Sequence, residues 1–237
     1  MPRYAFKRGA SPRLSRVSGG PYGRRTSLCP GACSSAQDVR RQALQSDWGT
    51  SLNFANTVDP REGSGAVDYL QTYADLAGWA IRAGVVSEAT ALRLVRRARA
   101  RSAHAGQAVE RARQLREAIY RIFSRLATHR PVFAADLALL RAGFHDALSA
   151  ARLEQHGRSF RWRLGEHLEV IRWKIARDAV ELLESGLLER LKRCAGSGDC
   201  GWVFIDTSKN SSRRWCSMAG CGNRAKARRH LRRRDSH

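Results

Sequence analysis

Four cysteines near the end of the sequence constrain the fold of this chain more than any other feature. Five residues separate Cys194 from Cys200, four separate Cys216 from Cys221, and fifteen lie between the two pairs. Structural zinc sites use four tetrahedral thiolate or imidazole ligands, and two cysteine pairs joined by a spacer supply such a set. The spacing is looser than the usual two residues within each pair, so free thiols or a disulfide remain alternatives. We predict a Zn²⁺ site; His230 could also serve as a ligand, but four cysteines make it unnecessary.

The predicted site is structural, because four sulfurs close the coordination shell and leave no position for water. Its binding energy then becomes folding energy for a module too small to fold alone. Between the cysteine pairs, GWVFID and RRWC flank the turn-like string TSKNSS, and we predict a hairpin between them. The backbone angles that knuckle loops need can be supplied by Gly196, Gly198, Gly201, Gly220 and Gly222.

The segment after the last cysteine, NRAKARRHLRRR, reads as a strongly basic helix. Cys221 would lie at its first turn, so a metal would clamp the start of the helix. Each Lys or Arg that neutralises a phosphate releases counterions and gives affinity for nucleic acid without sequence choice. The alternative is a solvated tail, because runs of like charge repel. We predict nucleic-acid contacts from Arg213, Arg214, Asn223, Arg224, Lys226, Arg228, Arg229, Arg232 and Arg233.

The whole chain carries a formal net charge of +22 over 237 residues. Such an excess predicts a polyanionic partner, with nucleic acid favoured over an anionic membrane; the alternative is a surface that only solubilises the protein. No apolar run is long enough for a transmembrane helix, and the basic N-terminus lacks the apolar core of a secretory signal. We therefore expect a cytoplasmic protein, in which cysteines bind metal more often than they form disulfides.

Composition divides the sequence into three parts. Residues 1–45 are rich in Arg, Ser, Gly and Pro and are predicted to be a disordered basic arm, with Cys29 and Cys33 as incidental thiols. Residues 46–187 are predicted to form a helical regulatory domain, and 188–237 the cysteine-containing module. The expected fold class is mainly α (α+β), with a helical domain that includes a short β-hairpin.

Apolar residues recur at helical spacing through the second part and predict five helices. The first ends at Gly84, the second follows an N-cap at Ser87, and the third ends before Pro131. Alternation in ARLEQHGRSFRWRL predicts a hairpin that turns at His156-Gly157, and a last helix is expected from about Glu166 to Leu191. The inward-facing residues of the second and fourth helices are predicted to be Leu92, Val95, Leu137, Leu140, Phe144 and Leu148.

The helical domain shows no catalytic arrangement in its sequence. It has neither a phosphate-binding glycine loop nor a zinc-protease helix motif, and its histidines are not paired with acids or cysteines, so we expect no enzyme. Its most unusual string is SLNFANTVD, in which Asn53, Asn56 and Thr57 could hydrogen-bond a small ligand. The interpretation that we favour is that these residues cap a helix and fix turns.

FIDTSKNSSRRWCSMAGCGNRAKARRH closely resembles the CGNR zinc finger, which is named for the string formed here by residues 221–224. The resemblance covers about Leu188 to Arg234 and includes Asp206, Ser208 and the Arg-Arg-Trp-Cys element. The part from LNFANTV to AVELLES is similar to the ABATE domain, described as a stress-induced transcription regulator. The resemblance implies a bacterial DNA-binding regulator with zinc on the four cysteines. It also implies a treble-clef-like finger of knuckle, hairpin and basic helix.

The leading interpretation is a zinc-finger transcription regulator that binds double-stranded DNA, with a helical domain that senses a ligand or forms a homodimer. An RNA-binding or ribosome-associated zinc protein is the alternative, because phosphate contacts alone do not separate the two polymers. An RNA-binding module should expose aromatic side chains for base stacking, and Trp202, Phe204 and Trp215 are the candidates. An enzyme is a third class, which the all-thiolate site disfavours.

Overall fold

The structure, a computed structural model, describes residues 49–63, 65–196 and 200–234. The predicted basic arm with Cys29 and Cys33 lies outside these residues, as do Gly198 and the side chain of Arg233. The helices are α1 Thr50–Ala55, α2 Tyr73–Arg82, α3 Glu88–Ala100, α4 Ser102–Leu126, α5 Ala134–Ala150, α6 Val170–Glu184 and α7 Asn223–Arg234. The strands are β1 Val58–Asp59, β2 Val67–Asp68, β3 Ala151–His156, β4 Ser159–Leu164, β5 Leu191–Arg193 and β6 Val203–Ile205. The predicted mainly α (α+β) class is confirmed.

The long helix α4 is the centre of the helical domain. It buries Leu115, Ile119, Ile122 and Phe123, which all belong to one apolar stripe. Helices α1, α5 and α6 pack against it, and α2 and α3 pack on each other at its side. None of the described helices combines the length and the apolar character that crossing a membrane requires.

Local sequence signals set the starts of α2 and α3. The Thr72 hydroxyl accepts a hydrogen bond from the Asp75 N–H at 3.2 Å, and the Asp75 carboxylate accepts one from the Thr72 N–H at 2.8 Å. This reciprocal pair is a capping box. The Ser87 hydroxyl accepts from the Thr90 N–H at 3.3 Å, which confirms Ser87 as an N-cap. Gly84, at φ +68°, follows the end of α2.

The predicted inward face of α3 is wrong at Leu92, which is 57% exposed. The residues that face the core are Ala91, Leu94 and Ala98, which recur at intervals of three and four and therefore share one side of the helix. Leu92 lies about 100° away from Ala91 around the helix axis, since an α-helix has 3.6 residues per turn. The buried stripe of α3 therefore consists of Leu94 and two small alanines, and it leaves Leu92 in solvent.

The predicted inward face of α5 is correct at Leu140 and wrong at Leu137 and Leu148, which are exposed. The buried residues beside Leu140 are Asp136, Gly143 and Ala147. A Cβ atom at Gly143 would lie 3.3 Å from the Cβ of Ala176 on α6, so the glycine lets the two helices approach closely. Asp136 is buried because its carboxylate accepts hydrogen bonds from Arg121 of α4, the shortest at 2.6 Å.

Two of the described antiparallel pairs belong to the helical domain. Strand β1 pairs with β2, with Val58 opposite Asp68. Strand β3 pairs with β4 in a six-residue register, and Gly157 takes φ +60° in the two-residue turn between them. The hairpin predicted at His156-Gly157 is therefore confirmed.

The last predicted helix is shorter than the sequence suggests, and the chain after it forms a strand. Helix α6 ends at Glu184; the Ser185 backbone is extended and its hydroxyl donates to the Leu182 carbonyl at 2.7 Å. A single 3-10 turn, Leu188–Arg190, leads into β5. Leucines recur at helical spacing as far as Leu191, and for this reason the sequence predicts a longer helix. The helix ends earlier, at Ser185-Gly186.

The hairpin predicted between GWVFID and RRWC is wrong in its second strand. Strand β6 pairs with β5 in antiparallel register, with Leu191 opposite Ile205 and Arg193 opposite Val203. The RRWC segment contributes one backbone hydrogen bond to this region, from the Ala195 N–H to the Arg214 carbonyl at 2.9 Å. The RRWC segment does not pair with β6 because Asp206 folds the loop that follows β6 away from the strand.

Candidate metal centre and nucleic-acid interface

The structure brings the four predicted cysteines together in one buried cluster. Cys194 follows β5, Cys200 precedes β6, Cys216 precedes the turn before α7, and Cys221 lies within that turn. Their sulfur atoms all lie within 4.8 Å of one another. The Sγ of Cys216 is 3.7 Å from that of Cys200 and 3.6 Å from that of Cys221. The cluster does not include His230, whose side chain is exposed on α7.

This donor set fits zinc. A tetrahedral site with zinc–sulfur bonds of about 2.3 Å has sulfur–sulfur edges of roughly 3.8 Å, close to the separations of 3.7 and 3.6 Å that the Cys216 sulfur makes with those of Cys200 and Cys221. Two backbone N–H groups point at the Cys194 sulfur, from Gly196 at 3.4 Å and from Cys216 at 3.3 Å. Such donors stabilise a sulfur that carries negative charge. We conclude that the four cysteines can hold one metal ion with no ligand from outside the protein. Zinc is the metal that this donor set fits best.

The electrostatics of the cluster favour an ionised sulfur at Cys194. Hydrogen bonds from the thiols of Cys200, Cys216 and Cys221 lower the pKa of Cys194 far below its usual range, and burial opposes this shift without reversing it. A divalent cation would neutralise the negative charge, and it supplies a cross-link between the two halves of the module when bound. The chain itself supplies the ligands, their burial and the N–H donors.

Two glycines allow the backbone to pass close to the sulfurs and to the turn. A Cβ atom at Gly196 would lie 2.8 Å from the Sγ of Cys221, and one at Gly222 would lie 2.8 Å from the Sδ of Met218. Contacts this short do not occur, so a larger residue at Gly196 would displace a cysteine ligand. Of the glycines predicted to supply unusual backbone angles, Gly201 does so at φ +59°, whereas Gly196 and Gly222 are needed for space.

Asp206 folds the loop between β6 and Cys216. One carboxylate oxygen accepts from the Ser208 N–H at 2.9 Å, and the other accepts from the Arg213 N–H at 2.8 Å and from the Lys192 ammonium at 2.6 Å. The side chain is buried, which opposes ionisation, but the hydrogen bonds from Lys192, Ser208 and Arg213 outweigh this and lower the pKa of Asp206 below its ordinary value. The loop therefore returns to Cys216 instead of continuing as a strand.

Arg213 contacts the protein itself, although we predicted it to contact nucleic acid. Its Nε donates to the Trp215 carbonyl at 3.0 Å, its Nη2 donates to the Cys216 carbonyl, and its guanidinium lies 5.3 Å from the Phe204 ring centroid. Arg214 is exposed and lies over the Trp215 ring at 5.6 Å. The structure therefore gives Arg213 a bracing position and leaves Arg214 on the surface.

Of the Asn-Arg pair that follows Gly222, the arginine contacts the cysteine cluster and the asparagine contacts the turn beside it. The Arg224 guanidinium donates to the Cys221 sulfur at 2.9 Å, and the Asn223 amide donates to the Ala219 carbonyl at 3.3 Å. Between Ser217 and Asn223 the backbone forms a wide π-helical turn, Met218–Gly222, that leads directly into α7. These contacts join the cysteine cluster to the first turn of the basic helix.

The rest of α7 presents a basic surface. Of the side chains predicted to contact nucleic acid, Lys226, Arg228, Arg229 and Arg232 are exposed, and Arg234 is exposed beside them. The helix has no acidic residue in its first turn, and more than half of its 12 positions are arginine or lysine. Because the cysteine cluster holds its start, the helix displays these charges in a fixed direction.

The sequence did not reveal that the finger docks on the helical domain through Asn56. The Asn56 amide donates to the Val203 carbonyl at 2.9 Å, and its oxygen accepts from the Val203 N–H at 3.1 Å. Asn56 thus pairs with strand β6 as a neighbouring strand would. Thr57 donates its hydroxyl to the Phe54 carbonyl at 2.8 Å, and Asn53 is buried within α1.

Further hydrogen bonds extend this contact, which we call the docking seam. The indole N–H of Trp202 donates to the Val58 carbonyl at 3.3 Å, and the Tyr120 hydroxyl donates to the Gly201 carbonyl at 3.0 Å. The Arg61 N–H donates to the Cys200 carbonyl at 3.0 Å, next to a metal ligand. Strands β5 and β6 also pack on α4, so the finger and the helical domain share one core.

Arg116 of α4 stabilises the part of the helical domain that forms the docking seam. This buried guanidinium makes two hydrogen bonds of 2.7 Å to the carboxylate of Asp68 and reaches the Thr57 hydroxyl at 3.4 Å. Burial disfavours the charged form, but the paired Asp68 carboxylate outweighs it and raises the pKa of Arg116. A charged arginine on a mostly apolar helix face is the signal that could have located this network in the sequence.

Comparison with known protein families agrees with this architecture. Residues 49–186 match the ABATE family model, whose description is "Putative stress-induced transcription regulator". The chain belongs to this family. Residues 190–234 match the CGNR zinc finger, so the resemblance predicted from the sequence is confirmed for both parts. A search of curated proteins found no match.

Proposed function

We propose that this ABATE protein is a DNA-binding transcription regulator whose zinc-loaded finger places α7 on the phosphates of duplex DNA. The observation that carries the proposal is the direct junction between a buried four-thiol cluster and an exposed basic helix. Cys194, Cys200, Cys216 and Cys221 hold the metal, and Arg224 connects Cys221 to the helix. The metal acts in folding and orientation.

Electrostatics supports nucleic acid as the partner. Lys226, Arg228, Arg229, Arg232 and Arg234 project from a single short helix into solvent, in a chain with a net charge of +22. Each phosphate that these side chains neutralise releases counterions, so affinity should fall steeply with salt. Bidentate arginines can also recognise guanine edges if the helix enters a major groove.

The aromatic residues of the finger favour duplex DNA over single-stranded RNA. Base stacking requires accessible rings, but Trp202 is 2% exposed and Phe204 is fully buried. Trp215 is half-buried beneath Arg214. None of the three aromatics that could have stacked on bases is fully available, which leaves phosphate and groove contacts from α7.

The helical domain supplies sensing or dimerisation in this proposal, and the protein acts without catalysis. A site closed by four thiolates offers no position for a reactive water, which supports a structural role for the metal. The docking seam ties β6 to α1 through Asn56, and this is the route by which a change in the helical domain would reach the finger.

Competition binding tests the proposal. A labelled duplex is titrated with the zinc-loaded full chain and challenged with unlabelled duplex DNA, single-stranded RNA and structured RNA over a salt series. The expected result is a steep salt dependence with duplex DNA as the strongest competitor. If either RNA competes better than duplex DNA, the DNA-binding proposal fails and the RNA-binding alternative replaces it.

A further inference from the structure

We propose that Arg61 and Tyr120 of the helical domain set how tightly the finger holds zinc, because they fix the position of the ligand Cys200. Two consecutive carbonyls of the finger accept hydrogen bonds from the helical domain at this point. The Cys200 carbonyl accepts from the Arg61 N–H at 3.0 Å, and the Gly201 carbonyl accepts from the Tyr120 hydroxyl at 3.0 Å. The backbone that carries the Cys200 sulfur is thus held from outside the finger.

The side chain of Arg61 anchors this backbone N–H to the core of the helical domain. The guanidinium donates to the Glu117 carboxylate at 2.7 Å and to the Ala55 carbonyl, and it lies 4.2 Å from the centre of the Tyr120 ring. Only 4% of the side chain is exposed. Burial lowers the pKa of Arg61, and the Glu117 carboxylate opposes this shift. Because a buried charge is costly without its partner, the ion pair keeps Arg61 in one position.

The finger approaches Arg61 closely at the residue that follows the metal ligand. Gly201 takes φ +59°, and a Cβ atom on it would lie 3.0 Å from the Cβ of Arg61. Protein interiors leave little room for a contact this short. The absence of a side chain after Cys200 therefore lets the ligand-bearing backbone lie directly against Arg61.

Groups that orient a metal ligand change metal affinity without contacting the metal, by roughly 10–100-fold in zinc sites. The Cys200 sulfur lies 3.7 Å from that of Cys216, and a shift of the Cys200 backbone would change this edge of the tetrahedron. By linkage, bound zinc in turn stabilises the arrangement in which Arg61 contacts Glu117. Any event in the helical domain that separates Arg61 from Glu117 should therefore weaken zinc binding by the finger.

This inference rests on the zinc site of the proposed function, but its test needs no nucleic acid. The reduced, zinc-loaded full chain is titrated with a chromophoric chelator of known zinc affinity. Arg61→Ala keeps the backbone N–H but loses its anchor, and we expect it to bind zinc at least about 10-fold more weakly than the natural protein. Arg61→Lys retains one donor for the Glu117 carboxylate and should recover part of the loss.

Tyr120→Phe is a milder variant that covers the case in which Arg61→Ala folds poorly. It keeps the ring beside the guanidinium and removes only the hydrogen bond to the Gly201 carbonyl. Zinc affinity should fall by about 5-fold, as for the loss of one ordinary hydrogen bond.

The matched control is Arg121→Ala, which breaks a different ion pair of α4, the one with Asp136 of α5. It should lower the unfolding temperature of the helical domain and leave zinc affinity unchanged. Natural zinc affinity in Arg61→Ala or in Tyr120→Phe would overturn the inference, as would an equal loss in Arg121→Ala, because affinity would then follow overall stability. A natural protein that binds no zinc would overturn the proposed function as well.

Discussion

The hairpins β3–β4 and β5–β6 both carry a phenylalanine in their second strand, yet one ring is buried and the other is open to solvent. Phe204 in the three-residue strand β6 is fully buried, whereas Phe160 in the six-residue strand β4 is 61% exposed. Strand β6 is covered by α1 and α4 and paired by Asn56. No described residue covers Phe160 to a similar extent.

Burial of a strand residue in these hairpins therefore depends on the segments, distant in sequence, that cover the strand, more than on the strand itself. The β5–β6 hairpin is short for an independent sheet, and isolated two-stranded hairpins are marginally stable. Its order comes from the cysteine cluster at its open end and from the docking seam along its edge. The longer β3–β4 hairpin keeps its register through its own ladder and turn and leaves one apolar face open.

Breaking the cysteine cluster should have the largest effect on the buried hairpin. Cys216→Ser removes one of four ligands, and structural zinc sites contribute on the order of 10 kcal/mol to folding. We expect one zinc per chain to fall to none by elemental analysis, with loss of the cooperative unfolding transition of the finger. Cys29→Ser is the control and should keep its zinc. Full zinc occupancy in the Cys216 variant would contradict the assignment of the ligands.

Matched phenylalanine truncations compare the two hairpins directly. Phe204→Ala should lower the free energy of unfolding by about 3–5 kcal/mol, because it opens a cavity in the shared core. Phe160→Ala should change the free energy of unfolding of the monomer by less than about 0.5 kcal/mol, since the ring is mostly in water. Denaturant titrations of the zinc-loaded proteins, at concentrations too low for self-association, measure both. Equal changes in the free energy of unfolding would contradict the difference in burial between Phe204 and Phe160.

Removing the side chain that joins β6 to the helical domain should have a smaller effect. Asn56→Ala leaves the N–H and the carbonyl of Val203 without partners in a buried place, which costs about 2–4 kcal/mol. Thermal unfolding should show the finger melting before the helical domain instead of with it. Gln114→Ala, which removes an exposed amide, is the control. Unchanged cooperativity in Asn56→Ala would mean that the seam does not couple the two parts.

The smallest expected effect is on the salt dependence of DNA binding, to which arginines of the finger should contribute and those of the β3–β4 hairpin should not. Arg229→Ala should reduce the slope of log affinity against log salt by about 1 on duplex DNA, since one phosphate contact is lost. Arg158→Ala, at the tip of the β3–β4 hairpin, removes an equally exposed charge and should leave the slope unchanged. A slope that falls only in Arg158→Ala would move the nucleic-acid interface to the hairpin.

Local features of the fold were predictable from the sequence, because their causes lie within a few residues. The cap at Ser87, the turn at Gly157 and the core stripe of α4 depend on neighbouring side chains and backbone angles. The four-cysteine cluster was predictable for a related reason, since cysteines in paired spacing are typical of metal sites.

Features that depend on distant partners were not predictable. Asn56 and Val203 are separated by 147 positions, so their pairing leaves no local pattern. Strand β5 keeps the leucine spacing of the helix before it, and only its pairing with β6 shows that it is extended. Leu92 and Leu148 fit helical stripes, but smaller residues beside them pack on the neighbouring helices and leave these leucines exposed.

Duplex binding followed during removal of the metal tests directly whether the cysteine cluster positions α7. Fluorescence anisotropy of a labelled duplex with the full chain is recorded as a chelator extracts zinc, and released zinc is measured in the same sample. We expect binding to be lost in proportion to zinc release and to return when zinc is restored. Binding that persists after the zinc has left would contradict the claim that the cysteine cluster positions the basic helix on DNA.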